Sequence, residues 1–261
     1  MTDLNFVRVE WEGDLAIVTI DRQDKLNALN SEVVRELGEV VASLRDDDGV
    51  RGVIVRGAGE KAFVAGADIA ELARMTPVSG VAVSREGQRV LTEIERFPKP
   101  VLAAVHGYAL GGGCELAVAC HLRVASTEAR FGLPEVGLGL IPGYGGTVRL
   151  ARLIGLGRAL ETTLTGEMIE ARRAAEMGLV SKVVEPDNLM AEAKALLRRV
   201  TKNGPVAVRM ALESIYHGLD STTSDALDFE ASLFGLLAST TDMKEGLEAF
   251  LEKRRPDFRG R

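Results

Sequence analysis

Glu115 and Glu135 stand in surroundings that do not solvate a carboxylate. Glu115 closes the run Gly111-Gly112-Gly113-Cys114-Glu115, and Glu135 closes Phe131-Gly132-Leu133-Pro134-Glu135. Both are fenced by glycine, proline and apolar residues. A carboxylate taken out of water is destabilised by several kcal/mol unless it is hydrogen-bonded, paired or protonated. Two such groups beside glycine-rich backbone point to acid and base chemistry. The competing reading makes Glu115 a first-turn residue that complements its helix dipole and Glu135 an exposed loop charge. Against it, Glu115 runs into Leu116-Ala117-Val118-Ala119-Cys120, which reads as buried all round, and Leu133, Pro134 and Val136 wrap Glu135 in apolar surface.

The glycines suggest what the acids work beside. Gly111, Gly112 and Gly113 precede an expected helix over Cys114 to Cys120. Without Cβ atoms, their N–H groups can face a cavity, and the helix N-terminus adds partial positive charge. That combination suits negative charge developing on oxygen; a tight strand-to-helix turn is the alternative. A second loop, Phe63 to Asp68, has the same character, and Ala67 is expected to open a short helix there. Its N–H is a second candidate donor, and one such donor contributes about 2.7–4 kcal/mol to transition-state stabilisation.

Several elements must carry these loops. Leu15 to Ile20 reads as a buried strand, and Gly52 to Arg56, Val101 to Val105 and Leu122 to Ala125 as further strands. Asn30 is placed to cap a helix whose apolar stripe is Val33, Val34, Leu37, Val40, Val41 and Leu44. Val90, Leu91, Ile94 and Phe97 line another, which must stop by Pro98. Strands alternating with helices predict an α/β fold with largely parallel pairing. No repeat of fixed period is visible. Beyond Asp187 the pattern is helical: Met190 to Val200, Val206 to Tyr216, Ala226 to Leu237 and Met243 to Leu251, with a turn near Thr201 to Pro205.

The 261 residues carry 46% hydrophobic residues and a formal net charge of −6, a balance that argues against broad nucleic-acid or anionic-membrane binding. Cys114 and Cys120 lack redox or zinc spacing and read as buried thiols in a reducing compartment. With no leader, peroxisomal tail or membrane span visible, a cytoplasmic location is expected. No G-x-S-x-G elbow, H-E-x-x-H, Walker A or complete G-x-G-x-x-G occurs; Gly137-Leu138-Gly139 misses the last glycine by one place. His106, His121 and His217 form no metal-ligand cluster.

The motifs resemble those of the crotonase superfamily, in its enoyl-CoA hydratase branch. They are Lys25-Leu26-Asn27-Ala28-Leu29, Lys61 through Ile69, His106 through Glu115, Phe131 through Glu135, Ile141-Pro142-Gly143-Tyr144-Gly145-Gly146-Thr147, and the tail Ala249 through Arg254. The resemblance runs nearly end to end. It implies a spiral of repeated ββα units over residues 1–200 and a C-terminal helical region, 201–261, for trimerisation and completion of the CoA pocket. It implies Glu115 and Glu135 as catalytic acids, with Ala67 and Gly112 donating N–H groups to the thioester oxygen. It further implies Leu26, Ala65, Asp68, Ile69, Ala70, Gly111, Gly143, Phe234 and Lys253 in CoA or substrate binding, and Leu72 and Tyr144 in the acyl pocket. The partner is an acyl-CoA thioester, the assembly a homotrimer or homohexamer, and no metal or redox cofactor is required; coenzyme A enters as part of the substrate. Two departures stand out. Ala70 occupies a place where relatives often carry lysine, and His121 one where aspartate is common; His121 reads as structural. The alternatives within the superfamily are an enoyl-CoA double-bond isomerase or another acyl-CoA lyase, and, outside enzymology, an RNA-binding relative.

Overall fold

The computed structural model describes residues 4–261. The chain begins with an antiparallel hairpin, β1 (Val7–Glu12) and β2 (Leu15–Ile20), followed by helix α1 (Ser31–Arg45). Asn30 caps α1, its side chain accepting from Val33 N at 2.8 Å. Three strand pairs follow: β3 (Gly52–Gly57) with β4 (Ala62–Ala65), β5 (Val101–Val105) with β6 (Tyr108–Leu110), and β7 (Leu122–Ser126) with β8 (Arg130–Gly132). Helices α2 (Ile69–Leu72) and α3 (Pro77–Glu95) follow β4, and α4 (Gly112–Ala119) follows β6. After β8 come a 3-10 turn at Pro134–Leu138, then α5 (Gly146–Ile154) and α6 (Leu156–Thr165). The chain continues through β9 (Ile169–Glu170), α7 (Ala171–Glu176), β10 (Lys182–Val184) and α8 (Leu189–Thr201), and ends with α9 (Pro205–Asp220), α10 (Thr223–Leu237) and α11 (Thr241–Glu252).

The first strand of each pair joins one sheet and the second joins another. The six-stranded sheet has the order β1-β2-β3-β5-β7-β10 and is parallel from β2 onward. The four-stranded sheet has the order β4-β6-β8-β9 and is parallel except at β9. This alternation is the spiral of ββα units that the resemblance implied. It is a repeat of geometry without a repeat of sequence.

Both faces of the six-stranded sheet are covered, which is why its strands are nearly continuous apolar runs. On one face Leu15, Ile17, Ile54, Leu102, Ala104 and Val124 meet Leu189, Ala193 and Leu197 of α8. The alternate residues Ala16, Val18, Val53, Val55, Ala103 and Val105 point into the larger core with α1, α3 and α4. Helices α9 to α11 contribute little to either: of their residues only Leu233, Asp242 and Ala249 are buried.

Two expected boundaries shift. The helix expected over Cys114 to Cys120 begins at Gly112, because the glycines themselves take helical geometry. Ala67 does not open a helix: Asp68 is the N-cap, its side chain accepting from Ala70 N, and α2 starts at Ile69. No helix among the described residues is long and apolar enough to cross a membrane.

Candidate active site

Strands β4, β6 and β8 are parallel neighbours, so their C-terminal ends form one edge. The register places Ala65 beside Leu110 and Leu110 beside Gly132. Ala67 lies two residues beyond β4, Gly112 two beyond β6, and Glu135 three beyond β8. Neighbouring strands are about 4.8 Å apart, so equal offsets leave Ala67 and Gly112 side by side. Neither N–H has an acceptor among the described residues. One oxygen about 2.7–3.1 Å from both could take both bonds. The step from β6 into α4 depends on Gly111, at φ +48° and ψ −123°, a conformation glycine tolerates and side chains resist. Its N–H donates to Gly132 O at 2.9 Å, and a Cβ on it would stand 2.8 Å from Glu135 Oε1. Glu135 therefore lies directly against the turn that presents Gly112.

Glu115 sits in the first turn of α4, a helix with every residue buried. Its Oε1 accepts two backbone bonds, from Tyr144 N and Gly146 N, each at 2.7 Å. Gly145 between them is left-handed, φ +103°. Alternate N–H groups turned onto one oxygen around such a residue form an anion-binding nest. Burial pushes the Glu115 carboxyl up to about 7; the bond from Gly146 opposes it, Glu135 pushes the same way, and Tyr144 N and Arg149 oppose. Glu135 is half-buried on the 3-10 turn, and burial raises its carboxyl as well, against the pull of its own backbone N–H. Its Oε2 is buried with no partner among the described residues. One acid thus has an oxygen tied to backbone, and the other has an oxygen free to bond a guest.

Three of the remaining expected residues, Asp68, Leu72 and Tyr144, line one cavity near the Ala67 loop. This cavity of about 210 Å³ is lined by Leu29, Ala67, Asp68, Leu72, Tyr144 and others. Leu72 and Tyr144 therefore share one wall. The Tyr144 ring lies 3.6 Å from where a Gly112 Cβ would be and overlaps the Cβ position of Gly87 on α3. Leu26 and Asn27 form a left-handed pair, φ 52° and 60°, strained for residues with side chains. Asn27 holds the strain from the inside: Oδ1 accepts from Arg22 N, and Nδ2 donates to Ala58 O and Ala62 O. Ala65 N donates to Leu26 O, and Arg22 pairs with Asp68 at 2.7 Å, so the 22–29 strap is fastened to the Ala67 loop. Ile69 and Ala70 are exposed beside it, and Gly143 O accepts from Ser84 Oγ at 2.6 Å. Phe234 and Lys253 are exposed on α10 and at the end of α11, and neither lines the cavity. His121 is structural, as expected: Nδ1 accepts from Val101 N at 2.8 Å, and its Nε2 lies 3.1 Å from Glu95 O. Cys114 and Cys120 are free and buried. Among the described residues no group of three or more His, Cys, Asp or Glu is placed to hold a metal ion.

A family model for enoyl-CoA hydratase/isomerase matches residues 10–261. The chain belongs to that family. It is 47% identical over 253 residues to a short-chain-enoyl-CoA hydratase of Clostridium acetobutylicum, covering 97% of each chain. It is 44% identical to a crotonyl-CoA hydratase of Syntrophomonas wolfei, covering 96% of each. Among solved structures it resembles an enoyl-CoA hydratase from Bacillus anthracis, with a TM-score of 0.95 and 38% identity over 98% of this chain and 100% of that one.

For this family member, sequence reasoning missed Arg149, Glu95, Arg22 and the structural part of Asn27. Arg149 had a readable signal. The buried positions of α5 are Gly146, Arg149, Leu150 and Ile154, so the arginine falls on the apolar stripe.

Proposed function

We propose that this enzyme hydrates a 2-trans-enoyl-CoA to the 3-hydroxyacyl-CoA. The observation that carries the reading is the pairing of two desolvated carboxylates with two unclaimed N–H groups on one strand edge. The thioester oxygen accepts from Ala67 N and Gly112 N. Glu115 takes a proton from water as its oxygen bonds to Cβ; the Cα–Cβ π electrons move toward the thioester, and the resulting enolate oxygen is held by the two donors. Glu135, protonated at the start, delivers its proton to Cα, and the proton taken up by Glu115 returns to Glu135 before the next turnover, so that one water is added in total. Burial serves the chemistry twice: it keeps Glu115 basic enough to act near neutrality, and it strengthens the donors by excluding solvent.

The names of the relatives favour short acyl chains, and the Tyr144 ring on the cavity wall suits that preference. Leu26, Ala65, Asp68, Ile69, Ala70, Gly111 and Gly143 are assigned to the thioester and the CoA arm, with the strained Leu26–Asn27 strap as one rim. Phe234 and Lys253, which do not line the cavity in one chain, are assigned to a CoA arm reached in the assembled protein. Coenzyme A enters only with the substrate, and no metal or redox group takes part. Residues 1–200 form the catalytic core, and 201–261 the assembly surface of a homotrimer or a pair of trimers.

The test is loss of the crotonyl-CoA enone absorbance with formation of 3-hydroxybutyryl-CoA. Glu115→Gln and Glu135→Gln should each lower kcat by about 10²–10⁴-fold; full activity in both would end the proposal. A 3-enoyl-CoA offered to the wild type separates the isomerase reading, which needs only one proton-shuttling acid.

A further inference from the structure

Glu115 is held by a peptide run that is itself held from behind. Its oxygen bonds the N–H groups of Tyr144 and Gly146, so the peptide joining Tyr144 to Gly145 must point its carbonyl the opposite way. That carbonyl accepts from Arg149 Nη1 at 2.8 Å. Arg149 is buried, and its other terminal nitrogen, Nη2, reaches α3, 3.0 Å from Thr92 Oγ1 and 2.9 Å from Glu95 Oε2. The guanidinium passes so close to Gly145 that a Cβ there would lie 2.3 Å from Nη1.

We propose that Arg149 is the positioning residue of Glu115, acting through the Tyr144–Gly145 peptide. The proposal rests on the reading of Glu115 as the water-activating base. A peptide group is rigid and planar, so holding its oxygen fixes its orientation. If this middle peptide rotated, the two flanking N–H groups would no longer converge, and Glu115 Oε1 would lose both bonds. Because Oε1 is saturated, Oε2 is the oxygen left for water, and its placement follows from the nest. Lysine cannot replace the device in full, since the fork of arginine bonds a carbonyl with one arm and a hydroxyl and a carboxylate with the other. The charge adds a second effect: Arg149 favours ionised Glu115, while Glu135 on the 3-10 turn opposes ionisation. Arg149 in turn faces Glu95 of α3 and lies within electrostatic reach of Tyr216 of α9.

The experiment compares Arg149→Met and Arg149→Lys with wild type, reading kcat, KM and the pH profile for crotonyl-CoA alongside thermal melting. For Arg149→Met, kcat should fall about 10²-fold with little change in KM, the cost of a misplaced catalytic group. The acidic limb should move to higher pH, because removing the cation leaves Glu115 harder to ionise. Arg149→Lys should return the limb toward its wild-type position without restoring the full rate, whereas a merely structural ion pair would be satisfied by either charge-bearing residue. A folded Arg149→Met enzyme with wild-type kcat and an unmoved limb would overturn the proposal. If that variant does not fold, wild-type kcat in Arg149→Lys overturns it. Difference-infrared titration of the Glu115 carboxylate, with Glu115→Gln as the blank, should move upward in Arg149→Met, or for want of a fold lose nest-bonded character in Arg149→Lys. This readout needs no turnover, so an inactive wild type would sink the hydratase reading while an unchanged Glu115 signal would sink this one.

Discussion

As the proposed base, Glu115 must be charged to accept a proton, and it is buried where charge is disfavoured. Its carboxyl is pushed up to about 7 by burial, from an ordinary value of 4.5. The folded protein therefore holds a proton there that the unfolded chain has released, and stability falls as pH rises from about 4.5 to 7. The loss is about 3 kcal/mol on reaching neutrality. Replacing the acid with a neutral isostere should recover much of it. Glu115→Gln is expected to melt above wild type at pH 8 and to converge with it near pH 5, measured by calorimetry in matched buffers. Activity should run the other way, with kcat/KM falling below about pH 7 as Glu115 takes up its proton. Tyr144 is the other residue with a direct readout. Tyr144→Ala should enlarge the proposed acyl cavity and raise the ratio of kcat/KM for longer enoyl-CoA over crotonyl-CoA by at least about 10-fold.

At the scale of elements, the site depends on how closely α4 approaches β4. A Cβ on Gly113 would stand 1.9 Å from the Val64 carbonyl oxygen, which is backbone and cannot swing away. Gly113→Ala is expected to lose more than about 3 kcal/mol of stability and to move Gly112 N–H and Glu115 together. Chemical denaturation and kcat would read the two effects. This packing also explains what could be read in the sequence. The strands β2, β3 and β5 are buried on both faces and announce themselves as apolar runs, and α1 carries a full amphipathic stripe with its cap. Strands β6 and β8 have three residues each, too few to show a period, although they lead into the turn that presents Gly112 and into Glu135. Gly112 and Gly113 look like loop residues because glycine is a poor helix former, yet tertiary contact with β4 makes them the first turn of α4. The acids were legible because their apolar surroundings are local in sequence. The support for Glu115 was not, because Tyr144, Gly146 and Arg149 reach it across 29 or more residues of chain.

At the scale of the whole molecule, the helical tail leaves large apolar side chains uncovered. Phe234, Phe250 and Leu251 are 78%, 82% and 79% exposed, and Leu219, Leu227 and Leu247 of helices α9 to α11 are exposed as well. So many uncovered large apolar side chains in one helical region suit an interaction surface. The proposed trimer should appear by light scattering at a mass near three times the 28.0 kDa of one chain, or six times if trimers pair. Phe250→Asp should shift the protein toward smaller species, and a wild type that stays monomeric at all concentrations would contradict the assembly. The tail was readable as helices from its spacing. Which face it leaves open was not, since an amphipathic pattern is the same whether a stripe meets its own core or another chain.

Cys114 adjoins Glu115 in sequence, and the proposed substrate is an electrophile. An α,β-unsaturated thioester can be captured at Cβ by a thiolate, forming a carbon–sulfur bond where water is meant to add. The side chain of Cys114 is buried, and desolvation pushes its thiol up to about 12, so almost none is in the reactive form at neutral pH. The same dry packing that raises the Glu115 carboxyl leaves its neighbour unable to be alkylated by the proposed substrate. Native protein held with excess crotonyl-CoA should keep its intact mass, and thioether adducts should form only after unfolding.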